Sequence, residues 1–270
     1  MAIRYIISVL GLIFALYPVV WILSSALNPH NVLSTRALMP PEVSLDNFRD
    51  LFAHQSYPFF RWYWNSVKLA TATSVLTVLL TATTGYAFSK FKFWGRKYGL
   101  ILMLIVQMFP VFMAMVAIYA FLSMFGLTNT HRGILLFYLG GAVPFSSWLL
   151  KGYFDTVPDS LRDAAVIDGA NRFQIFWKIM LPLAKPMLAV VAMKTFVGPF
   201  NDFVLARILL SSRRQYTLAL GLYNMVADEF SQAWTMFSAG ALLSAIPVMI
   251  LFLSMQKYFV GGLAAGATKG

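Results

Sequence analysis

The stretch from Lys151 to Pro182 decides how this chain is interpreted, and it reads K-G-Y-F-D-T-V-P-D-S-L-R-D-A-A-V-I-D-G-A-N-R-F-Q-I-F-W-K-I-M-L-P. It is much longer than the roughly 2–8 residues that usually join two packed helices. Ser160 followed by Asp163 fits a helix capping box. Gly169 can stop a helix because glycine readily takes a positive φ. The pattern therefore predicts a first short helix that ends at Gly169.

A second short helix is predicted from about Asn171 to Leu181, and Pro182 is expected to end it. Its large apolar side chains recur at helical spacing, which is expected to place most of them on one face. These side chains are Phe173, Phe176, Trp177 and Met180.

The composition indicates that this stretch connects membrane spans. Of 270 residues, 59% are hydrophobic and only 11% are charged, with a mean hydropathy of +0.71. A soluble domain carries about 25% charged residues, and a disordered chain has low hydrophobicity, so both classes are excluded. A span needs about 20 apolar residues. The sequence therefore predicts one all-α integral membrane domain over residues 1–270, with six transmembrane helices at about 5–27, 69–89, 98–125, 133–150, 183–206 and 234–255.

The basic residues indicate an orientation. The cluster from Lys90 to Lys97 lies between the second and third spans, and cytoplasmic connections collect Lys and Arg. The 151–182 connection and both termini are therefore expected on the cytoplasmic side. The same rule accounts for the net charge of +11 without a nucleic-acid partner. The third to sixth spans also hold interior prolines, which are expected to loosen their helices: Pro110, Pro144, Pro199 and Pro247.

The first short helix suits insertion into a groove on a partner protein. Ala164 and Ala165 permit close approach, and Asp163 offers a charge to a basic rim. An amphipathic helix that lies on the lipid surface is the alternative. Four acidic residues speak against it because an anionic leaflet repels them: Asp155, Asp159, Asp163 and Asp168.

The sequence offers no convincing catalytic or metal-binding set of residues. It has no P-loop, no H-E-x-x-H and no G-x-S-x-G motif. Cysteine is absent, and the three histidines are scattered through expected extracytoplasmic connections. An enzyme is therefore not expected, while a stand-alone secondary transporter stays open as an alternative to a subunit that docks on partners.

Several motifs carry a family resemblance. Asp163-Ala164-Ala165, then three residues, Gly169, then nine residues and Ile179-Met180-Leu181-Pro182 resemble the EAA loop of binding-protein-dependent ABC importer permeases. Asp163 stands where that family usually has Glu. Other stretches are similar to the smaller, MalG-type permease subunit of maltose/maltodextrin importers: Gln107–Pro110, Tyr138–Gly141, Lys151–Phe154, Phe200–Asp202 and Gly261–Gly270.

The resemblance implies a type I ABC importer permease fold with a cytoplasmic EAA coupling helix. It implies two ATPase subunits that bind ATP and Mg²⁺, a second, larger permease subunit and an extracytoplasmic sugar-binding protein, in a prokaryotic cytoplasmic membrane. This chain would hold no cofactor and no metal. The implied ATPase-coupling residues are Asp163, Ala164, Ala165, Asp168, Gly169, Ile179, Leu181 and Pro182. The C-terminal tail would also reach the ATPase, and it would need a partner to become ordered. The tail residues implied in this contact are Gly266, Thr268, Lys269 and Gly270.

The remaining candidate residues line the expected path and the outer surface. Polar residues at membrane depth are expensive and are usually functional. The candidates for the translocation path are Gln107, Ser146, Ser147, Asn201 and Asp202, with Lys194 considered beside them. In the Ile208–Ala233 connection, Tyr216, Tyr223 and Asn224 are candidate contacts to the binding protein. The expected cargo is maltose or maltodextrins, with another oligosaccharide or glycerol phosphate as the alternative.

Overall fold

The computed structural model describes residues 2–31, 39–227 and 232–267, with side chains described as far as Tyr258. Within these ranges the regular secondary structure is helical throughout. In chain order the helices are α1 (Ala2–Ala26), α2 (Asp46–Ala53), α3 (Phe59–Lys90), α4 (Gly99–Gln107), α5 (Val111–Met124), α6 (His131–Asp155), α7 (Asp159–Ile167), α8 (Arg172–Ile175), α9 (Leu181–Leu183), α10 (Lys185–Asn201), α11 (Val204–Leu209), α12 (Leu218–Val226) and α13 (Trp234–Ala267).

Four of these helices are long and apolar enough to span a membrane by themselves: α1, α3, α6 and α13. Two bent pairs bring the number of candidate spans to six. This agrees with the six spans expected from the sequence. The expected start of the second span was wrong, however, because α3 begins at Phe59 and not at residue 69. Arg61 and Lys68 interrupt the apolar run there without interrupting the helix.

The third span is a broken one. The stretch 98–125 was expected to be one helix loosened at Pro110, but α4 and α5 meet at 98° across residues 108–110. Proline lacks a backbone donor, and it disfavours the α conformation in the residue before it. Pro110 itself is extended, with ψ at 117°. The proline therefore ends one helix and starts the next.

The fifth span ends earlier than expected. It was predicted over 183–206, but α10 stops at Asn201 and α11 starts only at Val204. Asp202 has an extended backbone between them, and its carboxylate accepts a hydrogen bond from the Leu205 amide at 3.1 Å. This hydrogen bond satisfies one of the backbone amides in the first turn of α11, which favours a break before that helix.

The last span is longer than expected. It was predicted over 234–255, but α13 continues to Ala267 and so includes Gly266 of the tail. The expectation that the Gly261–Gly270 tail needs a partner for order stays a prediction. The candidates Thr268, Lys269 and Gly270 lie outside the described residues.

The centre of the fold is the tight packing of α3 on α6. A Cβ added to Gly85 in α3 would lie 2.8 Å from the Cβ of Leu150 in α6. Small residues at such crossings let two helices approach closely in a membrane. Below this crossing, α3, α6 and the 157–184 region share an apolar cluster that includes Tyr86, Phe154, Phe176 and Met180. This cluster positions the connection that the sequence singled out.

Candidate coupling site and membrane cavity

The start of α7 is fixed to the end of α3 by Lys90. Its ammonium group donates hydrogen bonds to the carbonyl of Val157 at 2.9 Å and to a carboxylate oxygen of Asp159 at 3.0 Å. The Lys90 side chain is only 7% exposed, although that of Asp159 is 62% exposed. The hydrogen bond from Lys90 lowers the pKa of Asp159 below its ordinary value. Lys90 had been assigned only to the orientation of the chain, so this role was missed.

The two short helices form, but their caps differ from the expectation. The capping box predicted at Ser160 and Asp163 was wrong, because α7 starts after Pro158 with no side-chain cap. The capping box lies instead at the second helix. There Asn171 Oδ1 accepts from the Gln174 amide and Gln174 Oε1 accepts from the Asn171 amide, both at 2.9 Å. The N-x-x-Q spacing carried this signal in the sequence.

Gly169 makes the turn between the two helices, as expected. Its φ is +81°, in the left-handed region where a side chain is disfavoured. Its amide donates to the carbonyl of Val166 at 3.0 Å, and the amide of Ala170 donates to the carbonyl of Ala165 at 2.9 Å. These bonds satisfy carbonyls at the end of α7. Asp168 is the exposed residue that follows the last turn of α7.

The second helix was expected to place its aromatic residues largely on one face, and this was wrong. Phe176 and Met180 are buried, whereas Phe173 is 70% exposed and Trp177 is exposed beside it. Residues 176–180 form a π-helical turn, which changes the angular position of side chains along the helix. Pro182 was also expected to end the helix, but helical structure continues to Leu183.

The junction after this helix is a sharp turn. The helical stretch 172–183 meets α10 at 75°. Ile179 and Leu181 are half-buried against the shared apolar cluster, and Pro182 is exposed. These three candidates therefore lie where the connection joins the fifth span.

The outer surface of α7 is apolar with an acidic edge. Ala165 is buried in the chain's own apolar cluster, whereas Ala164 and Asp163 are exposed. Close approach at Ala165 therefore serves internal packing. Ile167 is 86% exposed and Val166 is also exposed, so two β-branched apolar side chains remain uncovered at the end of α7. An exposed apolar surface next to a charge is typical of a docking surface.

A cavity of about 480 Å³ opens between α4, α6 and α10. It contains Gln107 from the expected path, at the point where the third span breaks. The Gln107 side-chain amide donates to the carbonyl of Gly141 in α6. Lys194 places its ammonium 4.1 Å from the centre of the Phe145 ring. The cavity is lined by Leu104, Gln107, Met108, Phe145, Trp148 and Lys194.

The other path candidates are not among the residues that line this cavity. Ser146 and Ser147 are fully buried, with no hydrogen-bond partner for their hydroxyls in the described part of the chain. Asn201 is exposed at the end of α10. Asp202 accepts a hydrogen bond from the Tyr138 hydroxyl at 2.7 Å, which connects α6 to the junction of α10 and α11. The structure thus gives Asp202 contacts within the chain.

The candidates for contact with a binding protein lie around a short helix. The Ile208–Ala233 connection includes α12, so Tyr223 and Asn224 are helical residues and not loop tips. Tyr216 and Asn224 line one cavity of about 280 Å³ together with Arg213. Tyr223 stacks instead on Phe203, with ring centres 4.7 Å apart. The structure therefore brings two of the three candidates together.

A helical bundle with broken spans and a two-helix connection at one end is the fold of a membrane permease subunit. The chain belongs to the family of binding-protein-dependent transport system inner membrane components, whose model matches residues 78–264. Its members are permease subunits of ABC importers and not enzymes.

Three relatives are named as permeases for sugars. The galactooligosaccharides transport system permease protein GanQ of Bacillus subtilis (strain 168) is 42% identical over 98% of this chain and 94% of the relative. The maltodextrin transport system permease protein MdxG of the same strain is 40% identical, with 98% and 95% covered. The maltose/maltodextrin transport system permease protein MalG of Vibrio vulnificus (strain YJ016) is 38% identical, with 94% and 91% covered.

Solved structures share the fold. A chain of a bacterial ABC transporter involved in the import of the acidic polysaccharide alginate matches with a TM-score of 0.80 and 24% identity, over 96% of this chain and 95% of that chain. A chain of the inward-facing MetNI methionine ABC transporter matches with a TM-score of 0.59 and 16% identity, over 76% and 96%. These likenesses establish the type I importer permease fold for this chain.

Proposed function

We propose that this chain is a permease subunit of an ATP-driven importer that moves maltodextrin-type oligosaccharides inward. The observation that carries the proposal is the exposed surface of α7, where Ile167, Val166 and Asp163 are presented beside the Gly169 turn. The complex would contain a second, larger permease subunit, two ATPase subunits that bind ATP and Mg²⁺, and an extracytoplasmic sugar-binding protein. This chain would contribute no cofactor site.

Coupling would pass through α7 as a nearly rigid unit. Ala165 packs into the cluster that includes Phe154 of α6 and Tyr86 of α3. Lys90 additionally connects the start of α7 to α3. A displacement of α7 by an ATPase that closes on ATP would therefore move the lower ends of two spans together. A packed interface transmits such a shift because it switches between discrete arrangements and does not deform continuously.

The orientation that this requires puts α7 and both termini in the cytoplasm. Lys90, Arg96 and Lys151 lie at the same end of the bundle as α7, and Lys90 contacts it directly. Basic residues concentrate on the cytoplasmic side of membrane proteins. The end that holds Tyr216 and Asn224 would then face the binding protein, and Gln107 would lie along the path between the two ends.

The coupling residues can be tested in the complete complex. Asp163→Lys is expected to lower sugar-stimulated ATP hydrolysis at least tenfold, because a reversed charge would face the proposed basic rim of the ATPase. Asp163→Glu keeps the charge and is the matched control, expected to retain more than half of the activity. An assembled Asp163→Lys complex with normal stimulation would contradict the docking proposal.

Contact with the ATPase can be tested separately by cross-linking. The chain has no cysteine, so Ile167→Cys introduces one reactive site. A short thiol-to-amine cross-linker is expected to join Ile167→Cys to an ATPase subunit. Leu45→Cys, which is also exposed but near α2, is expected to give no such product.

Galactooligosaccharides are the specific alternative to maltodextrins as the cargo. The galactooligosaccharide permease is slightly more similar to this chain than the maltodextrin permeases are, at 42% against 40% and 39% identity. A panel of maltodextrins, galactooligosaccharides and glycerol phosphate should be compared for stimulation of ATP hydrolysis in the reconstituted complex with its binding protein. Stimulation by maltodextrins would support them as the cargo. Stimulation by galactooligosaccharides alone would show that galactooligosaccharides are the cargo.

A further inference from the structure

The cavity at the break of the third span combines features that suit a sugar ring. Phe145 and Trp148 are both partly exposed on α6, with ring centres 6.0 Å apart and planes at 31°. Large aromatic faces supply apolar contact area with a defined orientation. The cavity of about 480 Å³ is within the usual range of small-molecule sites.

A cation lies over one ring of this aromatic pair, that of Phe145. Lys194 is near the middle of α10, about 13 Å from its start and about 10 Å from its end at 1.5 Å per residue. Its ammonium approaches Phe145 to 4.1 Å. Within the parts of the chain that the structure describes, no carboxylate lies within 4.0 Å of this ammonium. Ionisable residues at membrane depth are expensive and usually mark a substrate path.

The polar groups around the cavity complement hydroxyl groups. Lys194 offers N–H donors, because the ring of Phe145 engages its charge and does not accept a conventional hydrogen bond. Gln107 uses its amide N–H toward Gly141, which leaves its carbonyl oxygen as an acceptor. Donor, acceptor and aromatic surface thus come from three different spans and meet in one cavity.

We propose that Phe145, Trp148, Lys194 and Gln107 form a subsite that this chain itself contributes for one pyranose unit of the transported oligosaccharide. The ring would stack on the aromatic pair, while Lys194 and Gln107 hydrogen-bond its hydroxyls. This proposal rests on the proposed function for its substrate class. It adds that the sugar contacts this subunit directly during passage.

The direct test is protection of a cysteine placed in the cavity. Met108→Cys lines the cavity without removing a proposed contact, and Met124→Cys is the matched exposed control that does not line it. The complete complex is trapped with ATP and vanadate, with its binding protein either loaded with maltodextrin or empty. Sugar is expected to slow maleimide labelling of Met108→Cys at least fivefold and to leave Met124→Cys unchanged. Equal rates with and without sugar at Met108→Cys would overturn the subsite.

Sugar uptake by the reconstituted complex provides a second test of the subsite. Lys194→Met and Trp148→Ala are expected to lower sugar uptake per ATP hydrolysed at least fivefold in proteoliposomes, whereas Lys194→Arg retains more than half. Lys68→Met, an exposed lysine on α3 away from this cavity, is the matched control and is expected to leave uptake unchanged. Unchanged uptake in Lys194→Met would contradict the proposal. Failure of that variant to assemble with the second permease subunit would also contradict it, by assigning Lys194 to the subunit contact.

The two proposals fail in different ways. If no sugar in the panel stimulates the wild-type complex, the proposed function fails. If maltodextrin stimulates ATP hydrolysis but gives no protection at Met108→Cys, the proposed function stands and the subsite alone is wrong.

Discussion

Two segments connect spans through short helices, but different forces hold them. In the proposed orientation, Asp159–Leu183 is the cytoplasmic segment and Leu209–Val226 is the extracytoplasmic segment. The cytoplasmic segment is held mainly by buried apolar side chains such as Ala165, Phe176 and Met180. The extracytoplasmic segment contributes apolar side chains to the core as well. Its backbone is additionally held by side chains from elsewhere, including Trp62 and Asn65 of α3.

The hydrogen bonds at the outer end are numerous and specific. Trp62 Nε1 donates to the carbonyl of Arg213 at 2.7 Å. Asn65 Nδ2 donates to the carbonyls of Arg214 and Tyr216, both at 3.0 Å. Asn129 Oδ1 accepts from two further backbone amides, those of Ser211 and Ser212. Directional bonds fix a backbone, whereas apolar burial is non-directional. Side-chain hydrogen bonds to the backbone therefore hold the outer segment as a fixed frame, while the inner segment is held mainly by apolar packing that leaves Ile167 uncovered.

The largest effect is expected at the turn of the cytoplasmic segment. At φ +81°, Gly169→Val forces a β-branched residue into the left-handed region, at a cost of roughly 1–3 kcal/mol. The strain should misplace α7, and sugar-stimulated ATP hydrolysis is expected to fall about tenfold. The measurement is the ATPase rate of the purified complex.

Asn is the matched control at the same position, because it tolerates positive φ far better than other residues. A Cβ at Gly169 meets no atom within 4 Å, so the two variants differ in backbone strain and not in crowding. Equal activity of Gly169→Val and Gly169→Asn would show that the turn does not position α7 for coupling.

The next effect is expected at the extracytoplasmic frame. A Cβ on Gly221 would lie 2.1 Å from Trp62 Cε3, in a rigid ring that cannot yield locally. Overpacking of this kind costs about 1–3 kcal/mol, so Gly221→Ala should lower the thermal unfolding midpoint of the complex. Gly140→Ala in α6 is the control. A Cβ at Gly140 would meet no atom within 4 Å, so this substitution should raise helix stability by about 0.5–1 kcal/mol. A lower midpoint for Gly140→Ala than for Gly221→Ala would contradict the packing argument.

A smaller effect is expected from one bond of the frame. Trp62→Phe keeps an aromatic ring but removes the donor to the partly buried carbonyl of Arg213, and one such hydrogen bond contributes roughly 0.5–1.5 kcal/mol. Hydrogen exchange should accelerate in residues 210–217 and stay unchanged in α7. Trp64→Phe, on the exposed side of the same helix, is expected to change neither. Unchanged exchange in 210–217 would mean that this bond does not hold the frame.

The same contrast explains what could be predicted from sequence. The spans follow from apolar runs, and the Gly169 turn follows from one residue that takes positive φ at low cost. The outer frame could not be predicted, because Trp62 and Arg213 are far apart in the chain and each looks ordinary locally. The contact between Lys90 and Asp159 could not be predicted for a related reason. From the sequence, a lysine within a basic cluster indicates only the orientation of the chain in the membrane, because its partner is far away in the sequence.

Errors at the candidate site came from assuming regular helices. The π turn at 176–180 separated Phe173 and Trp177 from the buried Phe176 and Met180, and an ideal helical period cannot foresee such a turn. In the membrane, Ser146 and Ser147 were chosen for polarity alone, although only their packing decides whether they face a path. Their complete burial was therefore outside the reach of local pattern.

The smallest effect is expected at the polar connection between Lys90 and Asp159. The pKa of Asp159 is lowered in the folded chain by the hydrogen bond from Lys90. Its stabilising contribution is therefore present above the unfolded pKa and is lost as the pH falls through the lowered folded pKa, below 3.8. Asp159→Asn should lower the unfolding midpoint slightly near neutral pH, by less than Trp62→Phe does, and the difference from wild type should shrink as the pH falls through the lowered pKa of Asp159. Asp50→Asn, also on an exposed face but in α2, is the control without this lysine partner. A difference for Asp159→Asn that persists unchanged at the acid end would mean that the charge pair does not attach α7, and that apolar packing alone holds the cytoplasmic segment.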